Sequence, residues 1–128
     1  MARRMHHTAK HRNSDDDSEH LIQTRLVNLL PPLLKPDIVA LAIPNGGLRH
    51  PVVALRLKEE GLRPGSPDLV FPKPGGLTAW LEMKKKGGRL SDEQLGMAAR
   101  LRRLGHDWAV ADSVESALEA LHKMGVLK

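Results

Sequence analysis

The triplet Glu82-Met83-Lys84 closes a stretch, Ala79-Trp80-Leu81, with the composition of a β-strand. Side chains alternate across a strand, so Glu82 and Lys84 fall on one face and Leu81 and Met83 on the other. A carboxylate beside an ammonium is, by itself, as readily an ordinary ion pair as a catalytic couple. Asp68 changes that reading. It follows Pro67 at the start of the preceding strand, and pairing of the two strands would bring it to the end of the strand that carries Glu82. Two carboxylates held together repel, and a hard divalent cation relieves the repulsion. Mg²⁺ takes oxygen ligands and keeps several waters, so two carboxylates and a backbone carbonyl suit it. A lysine alongside would orient or deprotonate a water and balance charge near a phosphate. The plainer role for Asp68 is that of a turn residue after Pro67.

Other side chains have two readings each. Glu19 and Gln23 stand four apart on one helix face, so Glu19 offers a third carboxylate, or simply an acid that complements the helix dipole. Gln94 completes a capping box with Ser91, or sits at the edge of a site. In Asn45-Gly46-Gly47-Leu48-Arg49, loop amides freed by glycine together with Arg49 suit a phosphate, and a plain loop is the alternative. Lys84-Lys85-Lys86 followed by Gly87-Gly88-Arg89 is a solvated hairpin end or an edge that tracks phosphates.

The elements that must position these residues can be read in order. Residues 1–17 look like a disordered tail, basic and then acidic, and its His6, His7 and His11 have nothing nearby to fix a metal geometry. Ser18 can cap a first helix whose Leu21, Ile22, Leu26, Val27, Leu29 and Leu30 make an apolar face before Pro31-Pro32 stops it. Ile38 to Ile43, bounded by Pro36 and Pro44, reads as a buried strand. Pro51 opens a second helix that ends at Gly61. Asp68–Phe71 and Leu77–Lys84 are two strands joined at Pro74-Gly75-Gly76, most simply as a hairpin. Ser91–Leu104 is a helix closed by Gly105, His106–Asp112 a strand, and Ser113–Met124 a final helix. The order is α-β-α-β-β-α-β-α, an α/β domain over residues 18–128 with one central sheet flanked by helices.

Composition narrows the function. A chain of 128 residues is one domain, able to build a core without staples. It has no cysteine, which excludes disulfides, thiolate metal sites and thiol catalysis. One Phe, two Trp and no Tyr argue against a base-stacking platform. No run is long and apolar enough for a membrane span and the basic N-terminus lacks a signal's apolar stretch, so no membrane partner and a cytoplasmic location are expected. Lys and Arg number 20 against 15 Asp and Glu, for a net charge of +5. The excess concentrates between Glu82 and Arg103, where Lys84, Lys85, Lys86, Arg89, Arg100, Arg102 and Arg103 face only Glu82, Asp92 and Glu93. That asymmetry suits a polyanion, nucleic acid first.

Taken in order, these pieces resemble the PD-(D/E)xK nuclease superfamily, and within it the virus-type replication-repair nuclease (VRR-NUC) family. The resemblance rests on Glu19 with Gln23, Pro44-Asn45-Gly46-Gly47, Gly61, Gly65-Ser66-Pro67-Asp68-Leu69, Glu82-Met83-Lys84, Gly87-Gly88-Arg89-Leu90 and Ser91-x-x-Gln94. It covers about residues 18–121, and its specificity lies in the ordered set rather than in any one motif. It implies a restriction-endonuclease-like core with a central mixed sheet. It implies that Asp68, Glu82 and the Met83 carbonyl ligate Mg²⁺ or Mn²⁺, with Glu19 reaching the metal directly or through water. Lys84 would be the catalytic lysine, with Gln94 close to it or to the scissile phosphate. Arg49, Lys85, Lys86 and Arg89 are the expected DNA contacts. The implied reaction is hydrolysis of a DNA phosphodiester. The chain looks like the stand-alone form of phages and bacteria, which is similar to Holliday-junction resolvases and tends to be homodimeric. Two other readings remain: a DNA-binding module or nuclease subunit that needs a partner for activity, and a restriction-type nuclease, for which so small a chain leaves little room.

Overall fold

The computed structural model describes residues 18–44 and 50–128. The tail with its three histidines, the Asn45-Gly46-Gly47 loop and Arg49 lie outside the described residues. Helix α1 covers residues 18–29. Ile22, Leu26 and Leu30 stand four apart and form its inward stripe, with Leu26 and Leu30 fully buried. Leu21, Val27 and Leu29 are exposed, so the apolar face is narrower than the sequence suggests.

Four strands form one sheet in the order β1-β2-β3-β4. β1 (Leu41–Ala42) pairs antiparallel with β2 (Leu69–Pro72), and β2 pairs antiparallel with β3 (Thr78–Met83), the expected hairpin. β4 (Asp107–Ala111) runs parallel to β3 and is reached through helix α3 (Asp92–Arg103). The sheet is therefore mixed and the element order is the one read from the sequence. β1 departs from expectation: only two residues of the Ile38–Ile43 run form a strand, and it is an exposed edge. Ile38 is the part of the run that is buried, because a turn closed by its amide on the Lys35 carbonyl, with Asp37 at φ 67°, tips it into the core first.

The alternation of each strand sorts the core into two layers. Leu69, Phe71, Leu81 and Met83 pack against α1 and against helix α4 (Val114–Lys123), which contributes Ala117 and Leu121. On the opposite face Trp80 and Trp108 pack against Ala98 and Leu101 of α3. Ser91 and Ser113 cap α3 and α4 through their side chains. Lys73, just past β2, bonds Asp107 at 2.6 Å and the Met124 carbonyl at 3.0 Å, tying the hairpin to β4 and to the end of α4. Helix α2 (Pro51–Glu59) is different: His50 caps it, but none of its residues is buried. No described helix is long and apolar enough to cross a membrane.

Candidate active site

Strand register brings the two acids together. Leu69 pairs with Leu81 and Val70 with Trp80, so one step further along the same ladder sets Asp68 opposite Glu82. Residues opposite each other in an antiparallel pair have Cβ atoms about 4.5–5.5 Å apart. Alternation puts both on the face that carries α3, away from the core of Leu69, Leu81 and Met83. Both are buried, Asp68 8% and Glu82 3% exposed. Asp68 is held from below, because the Met83 amide donates to its Oδ2 at 2.7 Å. The Met83 side chain is fully buried in the core, which leaves its backbone as the part available to the site.

Glu82 has the poorer surroundings. Its Oε2 accepts from Gln94 Nε2 at 3.2 Å, while its Oε1 is buried with no hydrogen-bond partner. Burial above all, then the charge and contact of Asp68, push its carboxyl pKa from the ordinary 4.5 to about 9. Lys84 pulls the other way and Glu19 adds to the rise. Those interactions set Glu19, Asp68, Glu82 and Lys84 in one cluster. Glu19 sits at the start of α1, half-buried, with its Oε2 3.4 Å from the Lys85 amide, and Gln23 lies half-buried one turn on. Lys84 is half-buried just beyond β3, where its amide donates to the Ala111 carbonyl at 2.8 Å and so fixes the backbone that presents its side chain.

Gln94 does both things that the sequence allowed. Its Oε1 accepts from the Ser91 amide at 2.9 Å, closing the capping box, and its Nε2 reaches Glu82. The cap thus aims the amide at the acid. Gly65 holds this end of α3 in place. A Cβ there would lie 2.3 Å from the Glu93 carbonyl oxygen, and its φ of +86° is one that L side chains rarely adopt. Only glycine lets the loop before Asp68 lie on the N-terminus of α3. Beyond β3, Lys85 is half-buried, and Lys86 and Arg89 are exposed on the loop that leads to α3.

The VRR-NUC domain family model matches residues 12–115. The chain belongs to the VRR-NUC family. Its fold is also that of solved VRR-NUC structures. One, a VRR_NUC domain protein, superposes with a TM-score of 0.68 at 20% identity, covering 85% of this chain and 91% of that one. A second, a VRR_NUC domain, gives a TM-score of 0.56 at 19% identity, covering 84% and 97%. A search of curated protein sequences finds no match. The VRR-NUC assignment makes the domain a nuclease of the PD-(D/E)xK type, with DNA as substrate.

Such nucleases generally use a divalent metal, and the residues here fit one. The fit rests on Glu82 Oε1, a buried acidic oxygen that no protein donor satisfies, beside a second buried carboxylate. Among the described residues no group of three His, Cys, Asp or Glu side chains meets the geometry to hold an ion by itself. Asp68 and Glu82 would be the protein carboxylates for a hard cation, which keeps open positions for water and phosphate. Bound there, the cation would supply Lewis-acid stabilisation of charge on the phosphate.

Two features of the VRR-NUC site escaped the sequence reading. The Met83 amide steadies Asp68, and no side-chain pattern signals a backbone donor. Close packing of Gly65 on α3 had a signal, the Gly-Ser-Pro-Asp run, but the contacted element lay far along the chain.

Proposed function

We propose that this chain is a Mg²⁺- or Mn²⁺-dependent endonuclease selective for branched DNA, four-way junctions foremost, acting in the cytoplasm as a homodimer. The observation that carries the chemistry is the pair of buried carboxylates, Asp68 and Glu82, the latter with its Oε1 left without a hydrogen-bond partner. A protein that only gripped DNA would gain nothing from acids buried beside phosphates. In the reaction a water attacks phosphorus and one P–O ester bond breaks, giving a phosphate monoester and a hydroxyl. Asp68 and Glu82 hold the metal, and Glu19 bears on it directly or through water. Lys84 donates to the water or to a non-bridging phosphate oxygen and stabilises the charge that grows there. Gln94 fixes the rotamer of Glu82. Lys85, Lys86, Arg89 and Arg49 take phosphates on either side. The branched-DNA and dimer parts of the reading rest on the resemblance to junction resolvases, since a two-fold dimer cuts two strands of a symmetric junction.

The test is cleavage of a four-way junction, a flap, a plain duplex and a single strand, each with Mg²⁺, Mn²⁺ or EDTA. Lys84→Ala and Asp68→Asn are expected to cut about 10²–10⁴-fold more slowly, with DNA affinity little changed. Paired nicks in the junction support the dimer, which sedimentation then checks directly. Equal cutting of all four substrates keeps the nuclease and removes the structure selectivity. Binding without cutting in any metal turns the reading to a subunit that needs a partner, and metal-dependent cutting by both variants sinks the catalytic assignment.

A further inference from the structure

Beside the acidic cluster, between α2 and the first turn of α3, lies a cavity of about 680 Å³. Gln94 is the wall the two sites share: it lines the cavity and donates to Glu82. Through Gln94 the cavity adjoins the place where a phosphate held at Asp68 and Glu82 would lie. Most of the lining is apolar, from Pro51, Ala54 and Leu55 on the α2 side and Leu62 and Pro64 on the loop side. The polar exceptions include Lys58 and Glu93, one ammonium and one carboxylate. The carboxylate matters for what can enter. A phosphate would be repelled by Glu93, whereas a neutral base can donate an N–H to a carboxylate and accept from an ammonium. The volume is of the size that takes small organic ligands. α2 buries no residue of its own, and Leu55 is 57% exposed, so this wall still has apolar surface to cover.

We propose that the cavity receives an unpaired nucleobase from the nucleotide that adjoins the scissile phosphate. The proposal rests on the nuclease reading and gives it a source of selectivity. Extruding a base costs stacking and pairing, and costs least where the base is already unpaired, as at a branch point. A perfect duplex must break a pair to fill the cavity, and a branched substrate need not. Neither Trp lies in the lining, so the base is held by aliphatic and proline contacts rather than by ring stacking.

The experiment places 2-aminopurine, one position at a time, around the branch of a flap or junction. Wild-type protein is added in EDTA, and the cut site is mapped in parallel with Mg²⁺ or Mn²⁺. Emission is expected to rise several-fold on binding at one position, next to the mapped cut. Ala54→Trp, which fills the cavity, is expected to abolish that rise and slow cleavage about 10-fold. An abasic nucleotide at the same position should cost wild type a similar factor and cost Ala54→Trp nothing more. Leu62→Trp fills the space from the loop side and serves if Ala54→Trp does not fold by circular dichroism. The proposal is overturned if no position brightens, if wild type cuts the abasic substrate undiminished, or if the abasic and cavity-filling effects multiply. Normal cutting with no brightening removes the base pocket alone. Brightening with no cutting in any metal removes the nuclease reading and leaves the pocket.

Discussion

A glutamic acid that titrates at about 9 keeps its proton at neutral pH, and a neutral carboxyl is a poor metal ligand. Glu82 therefore couples three quantities: protonation, stability and metal binding. Its folded pKa lies above the unfolded 4.5, so between the two values the folded chain holds one proton more. The stability Glu82 contributes is whole below about 4.5 and is lost as pH rises through about 9, at up to about 1.4 kcal/mol per pH unit. In EDTA the melting temperature is expected to fall across that window. Glu82→Gln cannot ionise, so it should flatten the profile and melt above wild type at the alkaline end. Adding Mg²⁺ or Mn²⁺ exchanges the proton for a cation, and calorimetry in two buffers of different ionisation heat should show about one proton released at pH 7. Overlapping profiles for the two chains would mean that Glu82 is already ionised without metal. Part of this was legible in the sequence, because Asp68 and Glu82 are acids at a hairpin's distance. The orphaned Oε1 was not, since it depends on what the third dimension leaves beside it.

Elements deliver the residues, and here the loop between α2 and β2 has the tightest constraint. Gly65→Ala would drive a Cβ into the Glu93 backbone at a φ of +86°, so it is expected to cost at least about 2 kcal/mol in urea unfolding. In any Gly65→Ala protein that still folds, the N-terminus of α3 must back away, taking Gln94 from Glu82 and lowering metal affinity. Wild-type stability in that variant would show that the loop does not lie on α3 as described. The hairpin, the capping box and the element order follow from local chemistry: Pro and Gly at the turns, Ser at the caps, alternation in β3. β1 does not, because the run Ile38 to Ile43 is aliphatic throughout, and nothing local says that it forms an edge after a left-handed Asp37. α1 likewise has more leucines than its buried stripe uses. α2 has a good cap and a proline start, yet none of its residues is buried, which only the assembled fold reveals.

Over the whole molecule the net charge of +5 is small, and its placement matters more than its size. The loop from Lys84 to Arg89 carries cations out from the acidic cluster, with Lys86 and Arg89 exposed. Not every cation of the basic segment is available. Arg102 lies over the Trp108 ring, 5.0 Å from its centroid, and donates to the Trp108 carbonyl at 3.2 Å, so it braces α3 on β4. This separates two kinds of basic residue that look alike in the sequence. Lys86→Ala and Arg89→Ala are expected to weaken binding to every DNA alike and to lower the slope of log K against log salt by about one each. Arg102→Ala is expected to lose stability and leave that slope unchanged. Fluorescence anisotropy at several salt concentrations, with EDTA to prevent cutting, reads all three. A slope that falls for Arg102→Ala and not for Lys86→Ala would put the phosphate path along the strand edge of α3, away from the loop that leaves the acids. The loop path has the shorter reach from bound phosphate to Asp68 and Glu82, because it begins at Lys84 itself.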